Sequence, residues 1–140
     1  MRDEGIDLDA VIAVAEFRAA LRSFLRQSER IARRSGLTPQ RYLLLLMIKG
    51  APDGSELSTV TELARRLQLA QSTVTELVSR AEEAGLVARE PSGMDGRVAH
   101  LRLTGEGERR LRACLTTLDV ERRQLRDAIE SLTSEHRVRA

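Results

Sequence analysis

Between Leu57 and Thr104 the apolar residues recur twice at helical spacing and then alternate, which predicts two short helices, a tight turn between them, and a two-stranded hairpin. Thr59-Val60-Thr61-Glu62 offers a cap hydroxyl followed three residues later by a carboxylate, so a helix is expected to begin near Val60. Leu63, Ala64 and Leu67 would face a core, with Glu62, Arg65 and Arg66 turned to water. After Gln68-Leu69-Ala70 a second stripe of Val74, Leu77, Val78 and Ala81 runs to Gly85, a residue suited to a left-handed stop. The string Thr-Val-Thr-Glu-Leu occurs from Thr59 and again from Thr73, and reads as two similar helix starts. Pro91, Gly93 and Gly96 supply the hairpin turn, and Ala99, Leu101 and Leu103 alternate with Val98, His100 and Arg102 as in a strand with one covered face.

Further elements flank this unit. Thr38 caps and Pro39 opens a helix that is apolar nearly all round from Tyr42 to Ile48, a pattern of burial, before Gly50 ends it. Ala51-Pro52-Asp53-Gly54-Ser55 is a clear loop. Leu8, Val11, Ile12 and Ala15, then Leu21, Phe24 and Leu25, mark a long N-terminal helix. Toward the other end Leu111, Leu118, Leu125 and Leu132 fall seven apart, with Cys114, Leu115 and Ile129 widening the stripe, as in a seam between helices. Two copies of the chain joined at that seam, or packing onto the chain's own core, would each cover it.

The polar face of the second short helix is chemically dense. Ser72, Thr73, Glu76, Ser79, Arg80 and Glu83 lie opposite its apolar stripe, with Thr75 beside them. Hydroxyls and a forked guanidinium near a helix start suit base edges and phosphates in a major groove. An ordinary solvated helix face has the same pattern, so the stripe alone does not decide. At the hairpin tip Asp95 sits two residues from Arg97 and can aim its guanidinium through paired hydrogen bonds toward a minor groove or a phosphate.

Composition narrows the classes. A chain of 140 residues makes one domain, and aromatics at 2% leave the core to aliphatic side chains. The net charge of +2 is too small to indicate a nucleic-acid partner by itself. All basic residues but Lys49 are arginine, which suits phosphate and guanine, although a genomic codon bias yields the same count. No apolar run is long enough to span a bilayer, and Asp3, Glu4, Asp7 and Asp9 make the N-terminus too acidic for a signal peptide, so the expected compartment is the cytoplasm, with no membrane partner. A single cysteine excludes an intrachain disulfide. One cysteine and the distant His100 and His136 give no metal cluster, and the chain has neither a Gly-rich phosphate loop nor a paired nucleophile and base, which argues against an enzyme. Glu82 and Glu83 read as the solvated end of a helix.

Leu37-Thr38-Pro39-Gln40, Leu63-Ala64, Gln71-Ser72-Thr73-Val74-Thr75, Glu82-Glu83-Ala84-Gly85-Leu86-Val87, Asp95-Gly96-Arg97 and Leu103-Thr104-Gly105-Glu106-Gly107 together resemble the MarR family of bacterial transcription regulators. The resemblance implies a mainly α fold with a small β wing, a winged helix-turn-helix with dimerisation helices at both ends. The corresponding division is 1–36 for an N-terminal dimerisation helix, 37–104 for the DNA-binding region and 105–140 for C-terminal dimerisation helices. It implies DNA contacts from Gln71, Ser72, Thr73, Thr75, Glu76, Ser79 and Arg80 on the recognition helix, from Asp95 and Arg97 on the wing, and from Thr38 at a helix start. Leu8, Val11, Ile12, Leu111, Leu118, Leu125 and Leu132 would then hold a homodimer that reads a pseudo-palindromic operator in double-stranded DNA as a repressor. Family members commonly answer to small anionic or phenolic effectors, and no other cofactor is implied. Two alternatives keep the fold: redox sensing through Cys114, and a protein-interaction module that does not bind DNA.

Two departures from the family pattern bear on the site. Glu76 stands where a basic residue is common, and would meet the field of DNA unfavourably unless it accepts a hydrogen bond from cytosine. Ala70 stands where a serine usually caps the recognition helix, which points to a later or looser helix start.

Overall fold

A computed structural model describes residues 5–91, 98–117 and 119–138. The order of elements is α1 (Leu8–Arg34), α2 (Pro39–Lys49), α3 (Val60–Leu67), α4 (Gln71–Glu83), β1 (Val87–Pro91), β2 (Ala99–Leu103), α5 (Gly105–Thr117) and α6 (Asp119–Val138). The fold is therefore mainly helical with a small antiparallel wing, as the pattern predicts. Contacts divide the chain into two units: Ala32–Leu115, and the chain on either side of it, up to Ile31 and from Thr116.

The central unit is built on α2. Thr38 sits at its N-cap in extended conformation, and the hydroxyl oxygen accepts from the Arg41 amide at 3.1 Å. Pro39 follows at the position where a missing N–H costs nothing. Tyr42, Leu44, Leu45 and Ile48 are buried, whereas Leu43 is exposed, so the helix is covered on most of its circumference and not all of it. α2 packs on α3, α4 and β2. Leu44, Leu45, Ile48, Leu63, Val74, Val78 and Leu101 are all fully buried there. Each such side chain contributes about 1.5–3 kcal/mol relative to an exposed one, which lets an almost wholly aliphatic core hold the unit together.

β1 and β2 pair in the register Val87↔Leu103, Arg89↔Leu101 and Pro91↔Ala99. On its other edge β2 gains a one-residue bridge to Ser58, whose amide donates to the Leu101 carbonyl at 3.2 Å and whose carbonyl accepts from the Leu101 amide at 2.8 Å. Ser58 is buried to 1% exposure. A single bridging residue leaves no alternation in the sequence, which is why the pattern does not reveal it.

Two C-terminal stops share one device. Gly36 at φ +76° follows α1, and Gly85 at φ +74° follows α4. In each case the next residue reaches back: the Leu37 amide donates to the Ala32 carbonyl at 2.9 Å and the Leu86 amide to the Ala81 carbonyl at 2.9 Å. Arg110 of α5 adds a side-chain cap, its Nη1 donating to the Ser35 carbonyl at 2.9 Å.

The second unit carries most of α1 and all of α6. Leu8, Val11, Ile12, Val14, Leu25, Val120 and Ile129 are exposed, while Leu125 and Leu132 are half-buried. Of the heptad leucines, Leu111 lies in α5 and Leu125 and Leu132 lie in α6. Leu111 and Cys114 belong to the central unit and are buried within one chain, so they are already covered and do not extend an open seam. Leu118 lies outside the described residues. Among the described residues no helix is long and apolar enough to cross a membrane.

Candidate nucleic-acid interface

α3 starts as its sequence dictates. The Thr59 hydroxyl oxygen accepts from the Glu62 amide at 3.2 Å and the Glu62 carboxylate accepts from the Thr59 amide at 3.3 Å, closing a capping box. Leu63 and Ala64 are buried and Leu67 half-buried. Arg66, expected in water, instead reaches across to the end of α2, donating from Nη1 to the Met47 carbonyl at 2.8 Å and from Nη2 to the Gly50 carbonyl at 3.2 Å. Those carbonyls have no partner further along their own helix, and a guanidinium fork supplies one.

The turn into α4 passes through Gln68 in left-handed conformation, φ 57° and ψ 44°. Glutamine bears a steric cost there that glycine would not. Its side chain offsets part of this by donating from Nε2 to the Arg65 carbonyl at 2.7 Å. Ala70 then takes the extended N-cap conformation, φ −64° and ψ 147°, with no side-chain cap. The missing hydroxyl does not delay the helix, which begins at Gln71, because the backbone is already set and Val74, Leu77, Val78 and Ala81 anchor it from the buried side. The second copy of Thr-Val-Thr-Glu-Leu is therefore no helix start: Thr73 lies inside α4, and Glu76 pairs forward with Arg80 instead of back to a cap.

Ser72, Thr73, Thr75, Glu76 and Arg80 are exposed on one side of α4, and Ser79 is half-buried. Several already have local partners. Gln71 Nε2 donates to Thr61 Oγ1 at 3.3 Å, which ties the first turn of α4 to α3. Thr75 Oγ1 donates to the Gln71 carbonyl at 2.9 Å, so its hydroxyl proton is engaged while the oxygen can still accept. Arg80 Nη2 donates to Glu76 Oε1 at 2.7 Å.

The wing is fastened to this helix. Arg89 on β1 pairs through Nε with Glu82 at 2.8 Å, so Glu82 is a strut to the wing and not a freely solvated helix end. Across the hairpin Arg102 Nε pairs with Glu90 at 2.6 Å. Asp95 and Arg97, the two wing-tip residues, lie outside the described residues. At the base, Thr104 does three things: its amide donates to the Leu86 carbonyl at 3.0 Å, its hydroxyl donates to the Gly85 carbonyl at 2.6 Å, and its hydroxyl oxygen accepts from the Gly107 amide at 3.1 Å. Gly107 lies against the Leu86 carbonyl, where a Cβ would stand 2.2 Å from the oxygen. The Leu-Thr-x-x-Gly string is thus the joint between wing, α5 and the end of α4.

Paired carboxylates brace the same unit. Glu106 is held below the ordinary carboxylate range by hydrogen bonds from Arg110 and then Arg109. Glu108 is lowered by its hydrogen bond from Lys49, whose own ammonium is raised by Glu108 and then Glu56. Lys49 Nζ stands 2.6 Å from Glu108 and 2.9 Å from Glu56, linking α2 to α5 and to the loop before α3. Sequence reasoning missed Arg66, Glu82 and Lys49 as struts, because each acts across elements distant in the chain and carries no local pattern.

Comparisons with known proteins bear on the same unit. Residues 35–98 match the model of the MarR family. YsmB of Bacillus subtilis (strain 168), an uncharacterized HTH-type transcriptional regulator, is 32% identical over 126 residues, which is 87% of this chain and 82% of YsmB. AbsC, a MarR family transcriptional regulator from Streptomyces coelicolor, has a similar structure, with a TM-score of 0.71 at 24% identity over 97% of this chain and 93% of AbsC. A mutant of E. coli MarR, solved in complex with operator DNA, gives a TM-score of 0.62 at 20% identity over 93% of this chain and 87% of the mutant. By sequence the chain belongs to the MarR family of HTH-type transcriptional regulators, and its fold is similar to that of solved members of the family.

Proposed function

We propose that the protein regulates transcription as a homodimer that reads a pseudo-palindromic operator in double-stranded DNA, represses by occupying it, and is released by a small anionic or phenolic molecule. The observation that carries this reading is the exposed row Ser72, Thr73, Thr75, Glu76 and Arg80 on α4, beside a wing strutted to the same helix. Two such helices related by a twofold would enter successive major grooves about 34–36 Å apart, with Arg97 at the wing tip gripping alongside and Thr38 meeting a phosphate at the start of α2. Dimerisation is supported by the apolar residues that α1 and α6 leave exposed, among them Leu8, Val11 and Ile12, since a row of such residues marks an interaction surface. The effector acts only through unequal affinity for the operator-competent and incompetent spacings of the two reading helices.

A gel-shift series against the gene's own upstream region, repeated over a range of salt, tests the reading. Tight binding that weakens steeply with salt is expected, with a uniform loss of affinity in Arg97→Ala. Unchanged binding by Arg97→Ala would remove the wing from the interface, and no salt-sensitive binding to any promoter fragment would remove DNA as the partner.

A further inference from the structure

Glu76 and Arg80 stand one turn apart on the outer face of α4, joined at 2.7 Å and exposed by 65% and 62% of their side chains. The carboxylate takes one donor of a guanidinium that carries five N–H groups in a rigid fork. The fork therefore still has donors to present, and the carboxylate still has lone pairs. Held together, the couple offers donors and an acceptor side by side. In the major groove a G·C pair displays guanine N7 and O6 as acceptors next to the cytosine N4 amino group as donor, whereas an A·T pair displays acceptor, donor, acceptor. Two donors beside an acceptor fit the first row and mismatch the second.

We propose that the Glu76–Arg80 couple reads one G·C base pair in each operator half-site, Arg80 donating to guanine O6 and N7 while Glu76 accepts from cytosine N4. The assignment rests on the DNA-binding reading above and deepens it by naming the base pair. The carboxylate also explains how an acidic residue can sit on a groove-facing helix: it orients the arginine, and it cancels the charge that would otherwise hold the arginine on any phosphate. Glu76 thus trades non-specific affinity for discrimination, a repulsive element working beside an attractive one.

The experiment selects bound duplexes from a randomised pool with the full chain, with Arg80→Gln and with Glu76→Ala. Each protein is then titrated, across salt, on the winning duplex, on the same duplex with the G·C pair changed to A·T, and on an unrelated duplex. The wild-type chain is expected to lose about tenfold or more on the A·T duplex. Arg80→Gln is expected to lose less than about threefold there. Glu76→Ala is expected to relax the preference and yet bind the unrelated duplex more tightly than wild type, with the salt dependence steepened by about one phosphate contact. A variant that only loosened the helix would weaken both duplexes together. Selection of the same base at this position by all three proteins overturns the assignment while leaving DNA binding intact, and failure of the wild-type chain to enrich any duplex overturns both.

Discussion

Gly107 shows how a single missing side chain can hold a joint. The Leu86 carbonyl occupies the place where its Cβ would be, so Gly107→Ala must push α5 away from the end of α4 and is expected to cost about 1–3 kcal/mol. Gly105, two residues earlier, has nothing within 4 Å of such a position, and Gly105→Ala should be close to neutral. Urea unfolding of the two variants checks the contrast, and equal midpoints would show that the joint yields freely. The Leu-Thr-x-x-Gly string is visible in the sequence as a motif, but its reason is not, because the carbonyl that excludes a side chain comes from a residue more than one element away. Gln68 is a related case. A left-handed turn normally announces itself through glycine, and here a glutamine adopts it with a hydrogen bond from its own amide, so composition marks the turn without marking its conformation.

The helices are legible where local chemistry and burial agree. The capping box of α3, the Thr38-Pro39 entry to α2 and the stripe of α4 are all written within a few residues, and the structure follows them. The unequal burial of the leucine repeat is not legible, because the repeat keeps its register while Leu111 and Cys114 are buried in the central unit and Leu125 and Leu132 are only half-buried. α4 is a helix with one avoidable weakness. Ala70 already has the extended backbone of a cap, so Ala70→Ser needs no rearrangement to bring a hydroxyl to the amides of the first turn, and a gain of about 1 kcal/mol is expected. Denaturant unfolding measures it. No gain would mean that other groups already satisfy those amides.

For the molecule as a whole, the outstanding feature is how much apolar surface α1 and α6 leave uncovered in one chain. Val11 and Ile12 are 44% and 49% exposed, so a charge placed there disturbs little in a lone protomer. Val11→Asp is accordingly expected to leave the helical content and melting of the central unit unchanged while shifting the chain to monomer in sizing experiments and abolishing operator binding. A variant that stays dimeric would place the contact elsewhere. The proposed pairing of copies is the part that sequence and a single chain convey least, since a heptad records that leucines want cover and not whose side chains provide it.

The hydroxyl of Thr104, bonded at once to the last turn after α4 and to the first turn of α5, has a mechanical corollary. With Glu82 and Arg89 as a second tie, α4 and its hairpin are joined at two places. In the mechanism proposed above, an inducer is therefore expected to swing each reading head together with its hairpin, so that partial derepression appears as a changed head-to-head span.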